Sequence, residues 1–304
     1  MGRHAYLIMA HNQPTQLGRL VELLDDARND IYIHWDLKAR EELSLKTCNA
    51  SLFYTPRMSV RWGDYSQTAC QLLLMEQASQ AGGYDYYHLL SGADLPIKTQ
   101  DGIHRFFDRH AGTEFLEFSP DAEKHTGRLR YYCWFHGIYG RNKRAPRNLI
   151  LYGLDRFSLA MQKALRVDRL KNSGLTYAKG ANWFSLTEDC VRYILSQKEW
   201  IHRHCRFSRY SDEVFIHILV KNSPFGKKLF PRREDADPAA HLRLIDWKRG
   251  APYTFRSSDF EQLCRSDNLF ARKFNPETDP GIIELVCGLA GKQSSRNTDA
   301  PSVN

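Results

Sequence analysis

Three stretches of this chain hold residues whose types and spacing could do chemistry. Asp235-Ala236-Asp237 is the one Asp-x-Asp, the pattern by which two hard carboxylates hold a divalent ion that keeps a diphosphate and waters. It falls inside Arg232-Arg233-Glu234-Asp235-Ala236-Asp237-Pro238, which reads as a solvated loop rather than a strand end. Ser91-Gly92-Ala93-Asp94-Leu95-Pro96-Ile97-Lys98 carries a single acid, accompanied by a lysine, where a metal would need an acidic pair. From Lys124 to Arg147 the chain is basic and aromatic and has no acid, a composition able to stack bases and contact phosphates or to cover a sugar acceptor. No nucleic-acid motif accompanies it, and it is read as an acceptor loop with no nucleic-acid partner. Phosphate-cradling loops are missing as well: there is no G-x-G-x-x-G after a strand and no Walker loop, and Gly288-Leu289-Ala290-Gly291-Lys292 ends a helix instead of opening one.

Positioning these groups falls to alternating elements. Ala5–Ala10 is a continuous apolar run, Leu17, Leu20, Val21 and Leu24 recur at helical spacing, and Ile31–Trp35 is again strand-like. The pattern repeats as Ser51–Tyr54, a helix opened by Asp64 with Gln67 as a capping box, and Tyr84–Leu90. Such alternation predicts an α/β fold with a mostly parallel sheet flanked by helices, whose ligands lie beyond the carboxyl ends of the strands. His11, Asp36 and the segment Ser91–Lys98 each follow a strand directly. Later elements are expected at 113–119 (strand), 182–186 (strand), 188–196 (helix), 213–220 (helix), 241–247 (strand), 257–264 (helix) and 280–289 (helix). No internal repeat or linker divides the chain, so residues 1–290 are expected to form one large domain and 291–304 an unordered tail.

Composition narrows the class. With 304 residues, 42% hydrophobic and 26% charged, the chain is neither a disulfide-stapled miniprotein nor disordered over most of its length. Forty-three Lys and Arg against 35 Asp and Glu leave a net charge of +8, which suits a phosphate-bearing partner or an anionic surface. Seven cysteines without a C-x-x-C pair predict reduced thiols in a cytoplasmic protein. No apolar run approaches the ~18 residues of a membrane span, and the first strand begins too early for a leader, so any membrane contact is expected to be peripheral, at the inner face. Asn49-Ala50-Ser51 is a glycosylation sequon compatible with secretion.

Seven collinear stretches resemble a known family. Ala5-Tyr-Leu-Ile-Met-Ala-His11 is similar to its first strand, Ile33-His-Trp-Asp-Leu-Lys38 to its Ile-His-x-Asp-x-Lys, and Ser91–Lys98 to its Gly-x-Asp-x-Pro-Ile-Lys. Val60-Arg-Trp-Gly63 matches the segment before its second major helix, Gly180-Ala-Asn-Trp-Phe184 its Gly-Ser-x-Trp-Phe, and Ser211-Asp-Glu213 its Ser-Pro-Asp-Glu. Leu269-Phe-Ala-Arg-Lys-Phe274 adds a further match, and together they span about residues 5 to 287. The chain thus resembles the core-2/I-branching β-1,6-N-acetylglucosaminyltransferases and the related peptide O-xylosyltransferases, in a bacterial form.

That resemblance implies a GT-A-like nucleotide-sugar fold and an inverting transfer from a UDP-sugar to a glycan hydroxyl, with no metal or other cofactor. It assigns Glu213 as general base and Arg256 and Lys273 as the cations that meet the leaving diphosphate in place of a metal ion. His11 and Asp36 would face uridine and ribose, Arg61 and Asp94 the diphosphate or sugar, and Trp183 the acceptor; Trp134 is a weaker sugar platform. Taken alone, each residue also has a plain reading. Glu213 could be a first-turn carboxylate favoured by a helix dipole with Asp212 as its N-cap, a strand-end Asp could cap, and a lone cation could be surface. Arg272, beside Lys273, competes for the diphosphate, and Lys98 and Lys179 could share it. The donor sugar implied is N-acetylglucosamine, with xylose the alternative because Glu213-Val-Phe-Ile-His-Ile-Leu-Val-Lys-Asn-Ser223 is closer to the xylosyltransferases. A noncatalytic glycan- or lipid-binding scaffold is the reading from another class. Capsule, lipopolysaccharide or exopolysaccharide assembly is the expected setting.

Overall fold

In the first strand, alternating side chains already divide the interior: Tyr6, Ile8 and Ala10 enter one core, Ala5 and Leu7 the other. The computed structural model describes residues 2–139, 145–171, 173–231 and 239–291. Its strands, in chain order, are β1 (His4–Ala10), β2 (Asn29–Trp35), β3 (Ser51–Tyr54), β4 (Tyr86–Ser91), β5 (Asp94–Pro96), β6 (Phe115–Phe118), β7 (Gly180–Thr187), β8 (Arg243–Ile245) and β9 (Phe270–Arg272). Six form a sheet in the order β3-β2-β1-β4-β7-β6. The first four of these run parallel, while β7 is antiparallel to both β4 and β6. A second sheet, β5-β9-β8, pairs Asp94 with Arg272 across an antiparallel ladder.

Helices cover both faces. Pro14–Leu24, Gln100–Arg109 and Pro280–Ala290 pack with the small sheet around Leu17, Leu20, Ile103, Phe107 and Ile282. Tyr65–Ala81, Glu188–Ser196, Lys198–Cys205 and Phe215–Lys221 fill the opposite core around Met75, Val191, Ile201 and Ile216. Both sheets are stapled together by Arg243, whose fully buried guanidinium donates to Leu89 O (3.1 Å), Phe184 O (2.7 Å) and Ser185 Oγ (2.9 Å) and stacks over Phe270. Burial lowers its pKa to about 9, so it remains a cation at neutral pH.

Several elements differ from expectation for identifiable reasons. The late strand shortens to Arg243–Ile245, and the expected 257–264 helix divides into a 3-10 turn, Ser257–Asp259, and a helix, Phe260–Arg265. Asp64 does cap its helix, accepting from Ser66 N at 3.1 Å, but Gln67 reaches back to Gly63 N–H rather than to Asp64. The basic segment contains short turns, Ala122–His125, Gly127–Arg130 and His136–Tyr139, and its last residues open an unexpected long helix, Pro146–Ala164, with Pro at the first position. In that helix the buried positions are polar, Asp155 and Gln162, the reverse of the pattern by which sequence periodicity finds a core-facing helix. The Asp235-x-Asp237 pair and the expected tail beyond Gly291 lie outside the described residues.

Candidate active site

The carboxyl ends of β1, β2 and β4 and the amino end of the antiparallel β7 point the same way, and the expected site residues gather there. Glu213 ends a 3-10 turn, Ser211–Glu213; the helix that follows starts only at Phe215. Its side chain is one-third exposed, and Oε2 takes both partners: Arg128 Nη1 at 2.6 Å and Lys179 Nζ at 3.4 Å. Among the described residues, Oε1 has no partner. The carboxylate is therefore held from one side by two cations and left with an open oxygen, the arrangement a proton acceptor needs. Asp212 is not a cap: its side chain is buried and accepts from Asn182 Nδ2 at 3.3 Å. Burial first, and the neighbouring Glu213 charge second, push its pKa up to about 7.

Gly180 makes this corner possible. A Cβ there would lie 1.7 Å from Glu117 O and 2.5 Å from His217 Nε2, so β6 and the helix Phe215–Lys221 approach β7 through the space glycine leaves. That brings Lys179, directly before Gly180, to Glu213.

Three residues beyond Gly180 on β7, Trp183 meets the small sheet. Arg272 Cζ lies 4.0 Å from the Trp183 ring centroid, a cation–π contact, and its Nη1 is 3.2 Å from Asp94 Oδ1. Asp94 is fully buried; its oxygens accept from Ser91 N (2.9 Å) and Ser91 Oγ (2.8 Å) as well. Arg272 is thus tied to Asp94 and covers one face of Trp183. Lys273 is different: partly exposed, it makes no ion pair among the described residues. Its carbonyl accepts from Phe255 N at 3.0 Å, which sets Arg256, exposed and also without an ion pair among the described residues, in the adjoining loop segment. Both cations the resemblance selects are without an ion pair among the described residues, as is exposed Lys248 earlier in the same segment.

The remaining expected residues are spread around this end. Exposed His11 follows β1, and two residues on Gln13 Nε2 donates to Asn275 Oδ1 (2.7 Å), joining the His11 loop to the one after Lys273. Asp36 is buried and organises its own loop, accepting from Lys38 N (2.8 Å) and Val60 N (3.0 Å). Arg61 donates to Gly137 O at 2.8 Å. Trp134 stacks on Tyr132 at 4.9 Å. Lys179 is engaged by Glu213 rather than standing free. Sequence reasoning missed Arg128 as the partner of Glu213; its one signal was membership of the basic segment. It also missed Arg243, which no pattern marks. Among the described residues no three His, Cys, Asp or Glu side chains converge as a metal site, and no helix is long and apolar enough to cross a membrane. A concavity of about 240 Å³ lined by His4, Tyr86, Phe107 and Thr187 lies at the opposite end of the strands.

Comparison with known proteins gives the family. The core-2/I-branching enzyme profile matches residues 4–265, and the chain belongs to that family of glycosyltransferases. It is similar to xylosyltransferase 2 of Rattus norvegicus, 25% identical over 308 residues that cover 93% of this chain and 33% of the relative. With xylosyltransferase 1 of Homo sapiens the identity is 25% over 305 residues, 92% of this chain and 30% of the relative. The chain therefore spans about a third of the length of these curated relatives. Among solved structures, mouse xyloside xylosyltransferase 1 in its apo form aligns with a TM-score of 0.37 and 13% identity, covering 88% of this chain and 97% of that one.

Proposed function

We propose that this protein is a metal-independent, inverting glycosyltransferase that moves a sugar from a UDP-sugar to a hydroxyl of a glycan acceptor. The supporting observation is the pairing of a one-sidedly clasped carboxylate, Glu213, with two uncommitted cations, Arg256 and Lys273, at the same end of the strands. In the reaction the acceptor oxygen attacks the anomeric carbon and forms the new glycosidic bond. Its proton passes to Glu213 Oε1. The bond from that carbon to the diphosphate oxygen breaks, and the charge left on UDP is met by Arg256 and Lys273. Asp94 acts indirectly in this reading, by holding Arg272 against Trp183. His11 and Asp36 flank the nucleotide.

Two donors are in play. The implied UDP-N-acetylglucosamine competes with UDP-xylose, and the relatives' names favour xylose. The test is a thermal-shift screen of UDP, UDP-xylose and UDP-N-acetylglucosamine with and without EDTA, since a ligand that binds only the native state raises the melting temperature. Stabilisation by UDP that is indifferent to chelator is expected. Indifference to every uridine nucleotide refutes the donor assignment, and stabilisation that EDTA abolishes refutes metal independence.

A further inference from the structure

The helix Pro146–Ala164 carries its apolar residues on the outside. Leu149, Ile150, Leu154, Phe157, Met161 and the following Leu165 are all exposed, Ile150, Phe157 and Leu165 by 65%, 66% and 70%. At about 100° per residue these six fall within one half of the helix surface, and Gly153, Ala160 and Ala164 occupy the rest of that half. No charged residue interrupts it. Exposed Arg156 and Lys163 border one edge and Arg147 the amino-terminal end of the other, and none makes an ion pair among the described residues. The helix has one acid, Asp155, which points inward and accepts from Trp134 N (3.0 Å) and Phe135 N (3.2 Å). Gln162 anchors the next turns by exchanging hydrogen bonds with both backbone groups of Tyr132 (2.8 and 3.0 Å). The apolar half is thus displayed on a helix whose other half is fastened to the protein.

We infer that this helix lies on an anionic lipid bilayer, Ile150, Leu154, Phe157 and Met161 entering the acyl boundary while Arg147, Arg156 and Lys163 meet anionic headgroups. A continuous apolar face edged by cations is the form an interfacial helix takes. Charge decides against a second copy of the chain as the occupant. A two-fold contact through this face sets Arg156 and Lys163 beside their own counterparts, with no exposed acid on either helix to meet them. The inference goes beyond the proposed transfer and does not depend on it.

The test is flotation of the full chain with phosphatidylcholine vesicles, with and without phosphatidylglycerol. Binding is expected to need phosphatidylglycerol and to weaken with added salt. Ile150→Asp with Phe157→Asp should lower partitioning by roughly tenfold or more, while Arg156→Glu with Lys163→Glu should remove the preference for phosphatidylglycerol. Because these side chains are exposed, circular dichroism and melting should stay at the wild-type values. The milder Phe157→Ser and Lys163→Gln provide the same comparison should a charge reversal disturb folding. Wild-type protein that stays with neither vesicle overturns the inference. So does a dimer by light scattering that Phe157→Asp splits, since the face is then covered by its own copy.

Discussion

Arg128 Nη1 stands 2.6 Å from Glu213 Oε2, and the guanidinium also lies over the Tyr210 ring, 4.9 Å from its centroid. Arg128 is therefore held by an aromatic face on one side while it holds the carboxylate on the other. Glu213→Gln should lower transfer by about 10² to 10⁴-fold while UDP still raises the melting temperature. Arg128→Ala, which removes only the positioning, should lower kcat by up to about 10²-fold with the donor KM little changed, and Arg128→Lys should recover part of it. Steady-state kinetics separates the two; a Glu213→Gln enzyme with undiminished kcat removes this residue from the chemistry.

Arg256 and Lys273 make the complementary prediction. Each replaced by Ala should weaken UDP binding by about tenfold or more, the scale of a charge-assisted hydrogen bond, with both folds intact because neither side chain is committed elsewhere. Titration calorimetry with UDP reads this directly. Arg272→Ala is the informative contrast: it breaks the contacts with Asp94 and Trp183, so melting temperature should fall as well.

Asp212 connects the site to pH. Its pKa, lifted from 3.8 to about 7, makes the folded state bind a proton more tightly than the unfolded chain does. The stability this group contributes is complete below about pH 4 and is lost as pH rises through about 7. Asp212→Asn, which imitates the protonated form, should gain on wild type as pH rises from 4 to 8, by an amount on the order of a few kcal/mol. Denaturant unfolding at both pH values checks the sign; a variant that gains nothing on wild type between them contradicts it.

Gly180→Ala should be among the most damaging small changes in the chain. Its new Cβ meets a backbone carbonyl, Glu117 O, at 1.7 Å, and backbone cannot rotate away as a side-chain tip can. A loss of about 3 kcal/mol or more is expected in urea unfolding. Near-wild-type stability would show that β6 can shift aside.

The first half of the fold was legible because Ala5–Ala10 is an unbroken apolar run, the helix Pro14–Leu24 turns a regular apolar stripe inward, and the next helix is announced by its Asp64 cap. The strand-end positions of His11, Asp36 and Ser91–Lys98 followed from the same alternation. Pro146–Ala164 escaped because its apolar stripe faces away from the protein and its inward groups are Asp155 and Gln162. Glu213 was found through a short motif, but its partners come from a turn near residue 128 and the residue before β7, distant in sequence and joined only by folding. Arg243 was invisible for another reason: a fully buried arginine in a three-residue strand contradicts the usual placement of charge, and only the carbonyls it meets explain it.

The division into two sheets matters for how such an enzyme could change over time. In the proposed reaction the proton acceptor stands on a turn beside β7 of the large sheet, whereas of the phosphate-facing cations Arg256 hangs from the segment between β8 and β9 and Lys273 directly follows β9. Lengthening or reshaping that segment alters the grip on the nucleotide and leaves the acceptor's corner as it was. Substrate preference on one side can drift while the other is conserved in place, with Arg243 as the rivet that keeps the halves in register.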